Sequence, residues 1–96
     1  MNAASVHALF LAKTTDTSGT VHTWPGGVGC FQATGTWGGA TVTFEYSADG
    51  TTYIAVGSTT TLTANGGATF ELPAGTRVRA TVSSKSAPTT LNAYCW

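Results

Sequence analysis

Charge is what this sequence has least of. Lys13, Arg77, Arg79 and Lys85 stand against Asp16, Glu45, Asp49 and Glu71, 8% of 96 residues with no net charge at pH 7, where an ordinary domain carries roughly 25%. With no basic patch or stripe there is no electrostatic footprint for nucleic acid or an anionic membrane, and neither is expected as a partner. So uncharged a surface does little to keep copies apart, which favours assembly unless Thr, Ser, Asn and Gly hydrate it well enough alone.

Long apolar runs are missing as well. No stretch approaches the roughly 18 apolar residues that span a bilayer. The opening MNAASVHALFLAK holds only a short apolar stretch, contains His7 and has no basic region ahead of it, so no signal peptide is expected. The expectation is a soluble chain made in a cytoplasm, with Cys30 and Cys95 reduced during synthesis.

Groups that titrate or attack are equally scarce. Four carboxylates and two histidines fall in no catalytic motif, and no enzyme is expected. Glu45 and Asp49 share a hairpin, but an Asp at a hairpin tip is first a turn former. His7, His22, Cys30 and Cys95 would make four zinc ligands, yet structural zinc sites bring their ligands in close pairs and no two of these are near in sequence. Neither metal nor cofactor is expected.

What the chain does contain is alternation. Hydrophobic residues make up 42%, and over most of the length they alternate with polar ones, interrupted by glycine turns, while helical periodicity is absent. The pattern predicts extended segments at Val6–Ala12, Val21–Trp24, Val28–Thr36, Ala40–Tyr46, Thr52–Val56, Thr59–Thr63, Ala68–Leu72, Thr76–Val82 and Leu91–Trp96. Between them lie an exposed loop at Lys13–Thr20, a turn at Trp37-Gly38-Gly39 and a tight hairpin at Ser47-Ala48-Asp49-Gly50. A late meander pairs Thr59–Thr63 with Ala68–Leu72 across Asn65-Gly66-Gly67 and turns again at Pro73-Ala74-Gly75.

Within these strands Val42, Phe44 and Tyr46 oppose Thr41, Thr43 and Glu45. In the same way Val78, Ala80 and Val82 oppose Arg77, Arg79 and Thr81, and Leu91, Ala93 and Cys95 oppose Asn92, Tyr94 and Trp96. About eight short strands in one domain spanning 1–96 suit a small antiparallel β-sandwich, immunoglobulin-like or jelly-roll-like. Residues 1–23 are either its first strand or an arm that adds to the edge of a neighbour.

Six residues stand out as interface candidates. Trp24, Trp37 and Trp96 fall beside turns or at the chain end, where an indole either caps the open sandwich or anchors a partner; for Trp37 the cap is preferred, and Tyr94 adds weight to an interface at Trp96. Arg77 and Arg79 project from one face of one strand, either for recognition or to pair with Glu45 or Glu71 at about 0–1 kcal/mol. Cys30 and Cys95 either stay as buried free thiols or form a bridge after release from the cell, worth about 4 kcal/mol by chain entropy.

The segment GTWGGATVTFEYSADGTTYIAV, followed by LTANGGATFELPAGTRVRATV, resembles short virion proteins encoded among the head and tail structural genes of tailed bacteriophages. The likeness covers Gly35 to Val82 and rests on turn chemistry at Gly35, Thr36, Trp37, Gly38, Gly39, Asp49, Gly50, Pro73, Gly75 and Arg79. It implies a virion protein synthesised in the host cytoplasm, a capsid decoration or cement protein that binds the major capsid protein or other virion proteins as a dimer or trimer in many copies. A head-fibre or tail-associated module is the near alternative. The YSADGTTY hairpin also resembles those of discoidin-type and other carbohydrate-binding sandwiches, which implies a module presenting Trp24, Trp37 or Trp96 to a host glycan.

Overall fold

A computed structural model describes residues 6–15 and 17–96, so Asp16 and the first five residues of the expected arm lie outside the described residues. The strands are β1 (His7–Lys13), β2 (His22–Thr23), β3 (Gly27–Thr36), β4 (Thr41–Ser47), β5 (Ile54–Ala55), β6 (Thr61–Leu62), β7 (Gly66–Leu72), β8 (Arg77–Ser83) and β9 (Thr90–Cys95). They form two antiparallel sheets packed face to face. One has the order β1-β9-β3-β7; the other has β2-β8-β4-β5, with β6 also on β4.

Pairing runs from the outside of the chain inward: β1 with β9, β2 with β8, β3 with β7, β4 with β5 and β6. The chain is thus one long hairpin rolled into a double layer, the jelly-roll arrangement of a β-sandwich. The alternation read from sequence sets the burial. Val42, Phe44, Val78, Ala80, Val82, Leu91, Ala93 and Cys95 are all at most 1% exposed, while their odd-even neighbours face outward.

At the centre Phe31 of β3 stacks on Phe44 of β4, and Phe44 meets Phe70 of β7, which in turn meets Trp24. This aromatic chain passes back and forth between the sheets. Rings of this size contribute more per residue than any aliphatic side chain in so small a core.

The late meander does not form. β6 pairs with Val42 and Thr43 of β4, and β7 crosses to the other sheet to pair with β3. Two local causes are visible. The hydroxyls of Thr60 and Thr61 both donate to the Gly57 carbonyl, which bends Ser58–Thr60 into a 3-10 turn and leaves only Thr61–Leu62 as strand. Phe70, moreover, reaches the aromatic chain only from the opposite layer.

Nor is Lys13–Thr20 simply a loop in solvent. Thr17 O accepts from Val82 N–H, Gly19 N–H donates to Ala80 O and Ser18 bridges Thr81, so the chain from Thr17 to Trp24 lies along β8. An uncovered β8 edge would leave a row of unpaired amides, and this segment satisfies it. Residues 7–13 are likewise a strand of the chain's own sandwich, paired with β9.

Candidate functional site

The two outer faces of the sandwich differ in chemistry. On the β2-β8-β4-β5 face the charges satisfy one another. Glu45 accepts from Arg79 Nε at 2.9 Å and from the Thr81 hydroxyl at 2.7 Å; the Arg79 guanidinium lies over the Tyr53 ring at 3.8 Å. Arg77 donates to the Ala48 carbonyl at 3.2 Å, and its stem packs by Gly50. The two arginines brace β8 against β4 and its hairpin, Arg79 through the expected pairing with Glu45 and Arg77 through a backbone carbonyl in place of a carboxylate.

That hairpin is held by Asp49, whose carboxylate accepts from Thr52 N–H, Thr51 N–H and the Ser47 hydroxyl. Those donors, Thr52 first, hold its carboxyl down at about 2. Asp49 is a turn former, with all three of these bonds gathered on its Oδ1.

The opposite face, on β1-β9-β3-β7, is almost free of charge. Register places Ala8 beside Tyr94, Tyr94 beside Gln32 and Gln32 beside Gly67; Thr34 lies beside Asn92, and Val28 beside Glu71. Glu71 is the one ionic side chain in these rows. Among the large apolar side chains left open, Leu11 at 60% and Val28 at 71% exposed belong to strands of this sheet and Val6 at 55% directly precedes β1, while Ile54 at 55% and Val21 at 48% go with the other sheet. With Tyr94 and Trp96, both half-buried, Val6, Leu11 and Val28 form an apolar and aromatic surface with amide and hydroxyl groups between.

Across it runs a shallow open trough of about 440 Å³ from Trp96 to Asn65, over Cys30, Gln32, Thr34 and the bare Gly67. Asn65 Oδ1 accepts from Gly35 N–H at 2.9 Å and from Trp37 Nε1 at 2.8 Å. That double acceptance fixes the amide and leaves its Nδ2 group as the free donor at the end of the trough.

The aromatic candidates thus divide. Trp24 is 4% exposed, packs on Phe70 and donates Nε1–H to the Gly27 carbonyl; it closes the core and presents nothing to a partner, a correction to its candidacy as an interface anchor. Its seat is made by Gly29, where a Cβ would collide with the indole. Trp37 is half-buried, packs against the core and donates Nε1–H to Asn65, while Tyr94 and Trp96, also half-buried, alternate with the inward Ala93 and Cys95.

Cys30 and Cys95 are free thiols on neighbouring strands. Phe31 is the residue opposite Cys95, so Cys30 is one position out of register. The thiols accordingly point to opposite faces, Cys95 into the core and Cys30, only half-buried, into the trough; a bridge between them would need one strand to invert. Burial pushes the Cys95 thiol up to about 12.

Val28, Leu11 and Gln32 carry no local signal in the sequence, because only the sheet order places them on the same face as Tyr94. Gly29, mid-strand, was a readable sign of close approach. No protein-family model matches the chain, and no curated protein matches it.

Proposed function

We propose that this chain is a virion structural protein of a tailed bacteriophage, a capsid decoration protein that docks on the assembled head in many copies through the outer face of β1-β9-β3-β7. The observation that carries the reading is the near-absence of charge on that face together with the exposed Val6, Leu11 and Val28 around Tyr94 and Trp96. Aromatic anchors amid apolar side chains are the composition of an interface centre. The turn motifs from Gly35 to Val82 and the rolled double sheet, an architecture that viral capsid domains use, point the same way by analogy.

Size decides how such a face would be used. Four strands about 4.8 Å apart and about six residues of about 3.4 Å each span roughly 400 Å² in projection. A stable one-to-one complex takes about 800 Å² from each partner. This face alone gives a weak single contact, which becomes firm when repeated over a symmetric shell or reinforced by dimers or trimers. Heads lacking the protein, mixed with the purified chain and sedimented, test the proposal: saturable binding that Tyr94→Ala and Leu11→Lys weaken supports it, and no binding at any concentration sinks it. Density on a fibre or tail in electron cryomicroscopy of the intact particle would move the site to that module.

A second reading is favoured by the trough. Trp96, the free Nδ2 of Asn65, and the Gln32 and Thr34 side chains offer a stacking ring and neutral hydrogen-bonding groups, the complement of an uncharged saccharide. Calorimetric titration with maltotriose, cellotriose and triacetylchitotriose tests it. Saturable heat that Trp96→Ala abolishes would favour this role.

A further inference from the structure

We propose that His7 and His22 form an acid-sensitive latch that holds β1 against the opposite sheet and releases it when the pair is protonated. The two rings stack with centroids 3.7 Å apart and planes 27° from parallel, one from each sheet. Neutral imidazoles tolerate this contact, whereas a charge on either ring faces the partner ring and a charge on both produces direct repulsion.

A second observation is independent of the stack. Nε2 of His22 is buried and has no hydrogen-bond partner. An imidazolium must carry a proton on both nitrogens, so protonation would bury a charged N–H without an acceptor. Among the described residues the surroundings supply no counter-charge. His22 pairs with Val78 of β8, whose other neighbour in the row is Tyr46 of β4; His7 pairs with Cys95 of β9, an un-ionised thiol at neutral pH. On β8, Arg77 and Arg79 flank Val78 on the other side of the sheet, and Glu45 there is taken up by Arg79. On β1, Lys13 is bound to the Ser18 carbonyl. Burial first, and His7 second, hold His22 below the ordinary histidine value, and among the described residues no carboxylate opposes them.

The sign follows from that depression. Unfolded His22 binds its proton near 6.5, and the folded protein binds it only at lower pH. The latch is therefore fully closed above about 6.5, and its contribution is lost as pH falls through the lower folded value. What opens is defined by the topology: β1 is an edge strand, paired with β9 alone in its sheet. Beside the histidines it is tied to the other layer by Thr20 N–H to Leu9 O at 2.8 Å, by Lys13 Nζ to Ser18 O at 2.9 Å and by the burial of Leu9 and Phe10 in the core, with Gly19 packed so closely on Leu9 that no Cβ would fit. Release of β1 would remove Ala8 and Leu11 from the outer face. The consequence for docking rests on the function proposed above; the latch itself does not.

Hydrogen exchange by NMR on the full chain at pH 7.5 and pH 5, corrected for intrinsic rates, tests it. The β1 amides are expected to lose protection by about tenfold or more relative to those of β4 and β8. His7→Phe with His22→Phe keeps a ring stack without a titrating group and should abolish the difference. Should that double variant fail to fold, titration of the two wild-type imidazole signals decides: a His22 midpoint below 6.5, reported also by β1 shifts, supports the latch. A His22 midpoint at the ordinary value, uniform exchange at both pH values, or an equally acid-sensitive double variant overturns it. If β1 opens in acid while head binding is absent at every pH, the docking reading fails and the latch stands.

Discussion

Phe31 and Phe44 lie in different sheets and stack with centroids 4.7 Å and planes 18° apart. Both are completely buried, so this contact joins the layers at their midpoint. Truncating Phe44 to Ala removes a ring that also touches Phe70, at a cost of about 3–5 kcal/mol. That is a large share of the 5–15 kcal/mol typical of a domain. Urea unfolding should show the Phe44→Ala variant largely unfolded in buffer or with its midpoint greatly reduced, while Phe44→Leu retains most of the stability.

Gly29 gives a test of the aromatic chain's far end. A methyl group there would be forced into the Trp24 ring, and displacing the indole would strain its bond to the Gly27 carbonyl. Gly29→Ala should cost about 1–3 kcal/mol as an overpacked site. The tryptophan emission of the folded variant should shift to the red as Trp24 meets water; unchanged emission and stability would show that the indole has room to spare.

Strand parity makes the two cysteines chemically unequal. Cys30 opens on the trough and Cys95 sits in the core with its thiol pushed up to about 12. A maleimide should label Cys30 in the native protein and Cys95 only after unfolding. Mild oxidation should leave the monomer without an internal bridge, read by mass after alkylation. Cys30→Ser should be within about 0.5 kcal/mol of wild type, and Cys95→Ser should cost about 1–3 kcal/mol for an unpaired buried hydroxyl.

These positions also show how far the chain could be read without coordinates. Alternation through Val42-Thr43-Phe44 and Val78-Arg79-Ala80 gave strand faces directly, since a period of two leaves each side chain one choice. The same rule separates Cys30 from Phe31, and so already places the cysteines on opposite faces once Phe31 and Cys95 are both inward. Partner choice is different in kind. Whether Leu62 lies beside Val42 or beside Ala68 depends on contacts far apart in sequence, and no local pattern distinguishes the hairpin from the crossover. The outer face was legible only as the pair Tyr94 and Trp96; Val28, Leu11 and Gln32 join it through the order β1-β9-β3-β7.

Asp49 predicts a pH effect at the other end of the scale. Its carboxylate is held at about 2 by Thr52, Thr51 and Ser47. A depressed carboxyl stabilises the fold above its unfolded value, near 4, and that contribution is lost as pH falls through about 2. The hairpin amides of Thr51 and Thr52 should keep their NMR shifts down to pH 3 and move together below it. In Asp49→Asn that transition should vanish.

The two faces of the sandwich make the proposed docking separable from stability. Glu45→Gln removes the charge that Arg79 and Thr81 share, but this pair is partly solvated and should contribute only about 1 kcal/mol. It lies on the face away from Tyr94, so head binding should be unchanged. Tyr94→Ala should have a small effect on folding, because the ring points outward, and should weaken binding by about tenfold or more if it is an anchor. Matched urea curves and sedimentation with heads would read both. Equal losses of binding from Glu45→Gln and Tyr94→Ala would mean that the charge-poor face is not what meets the shell.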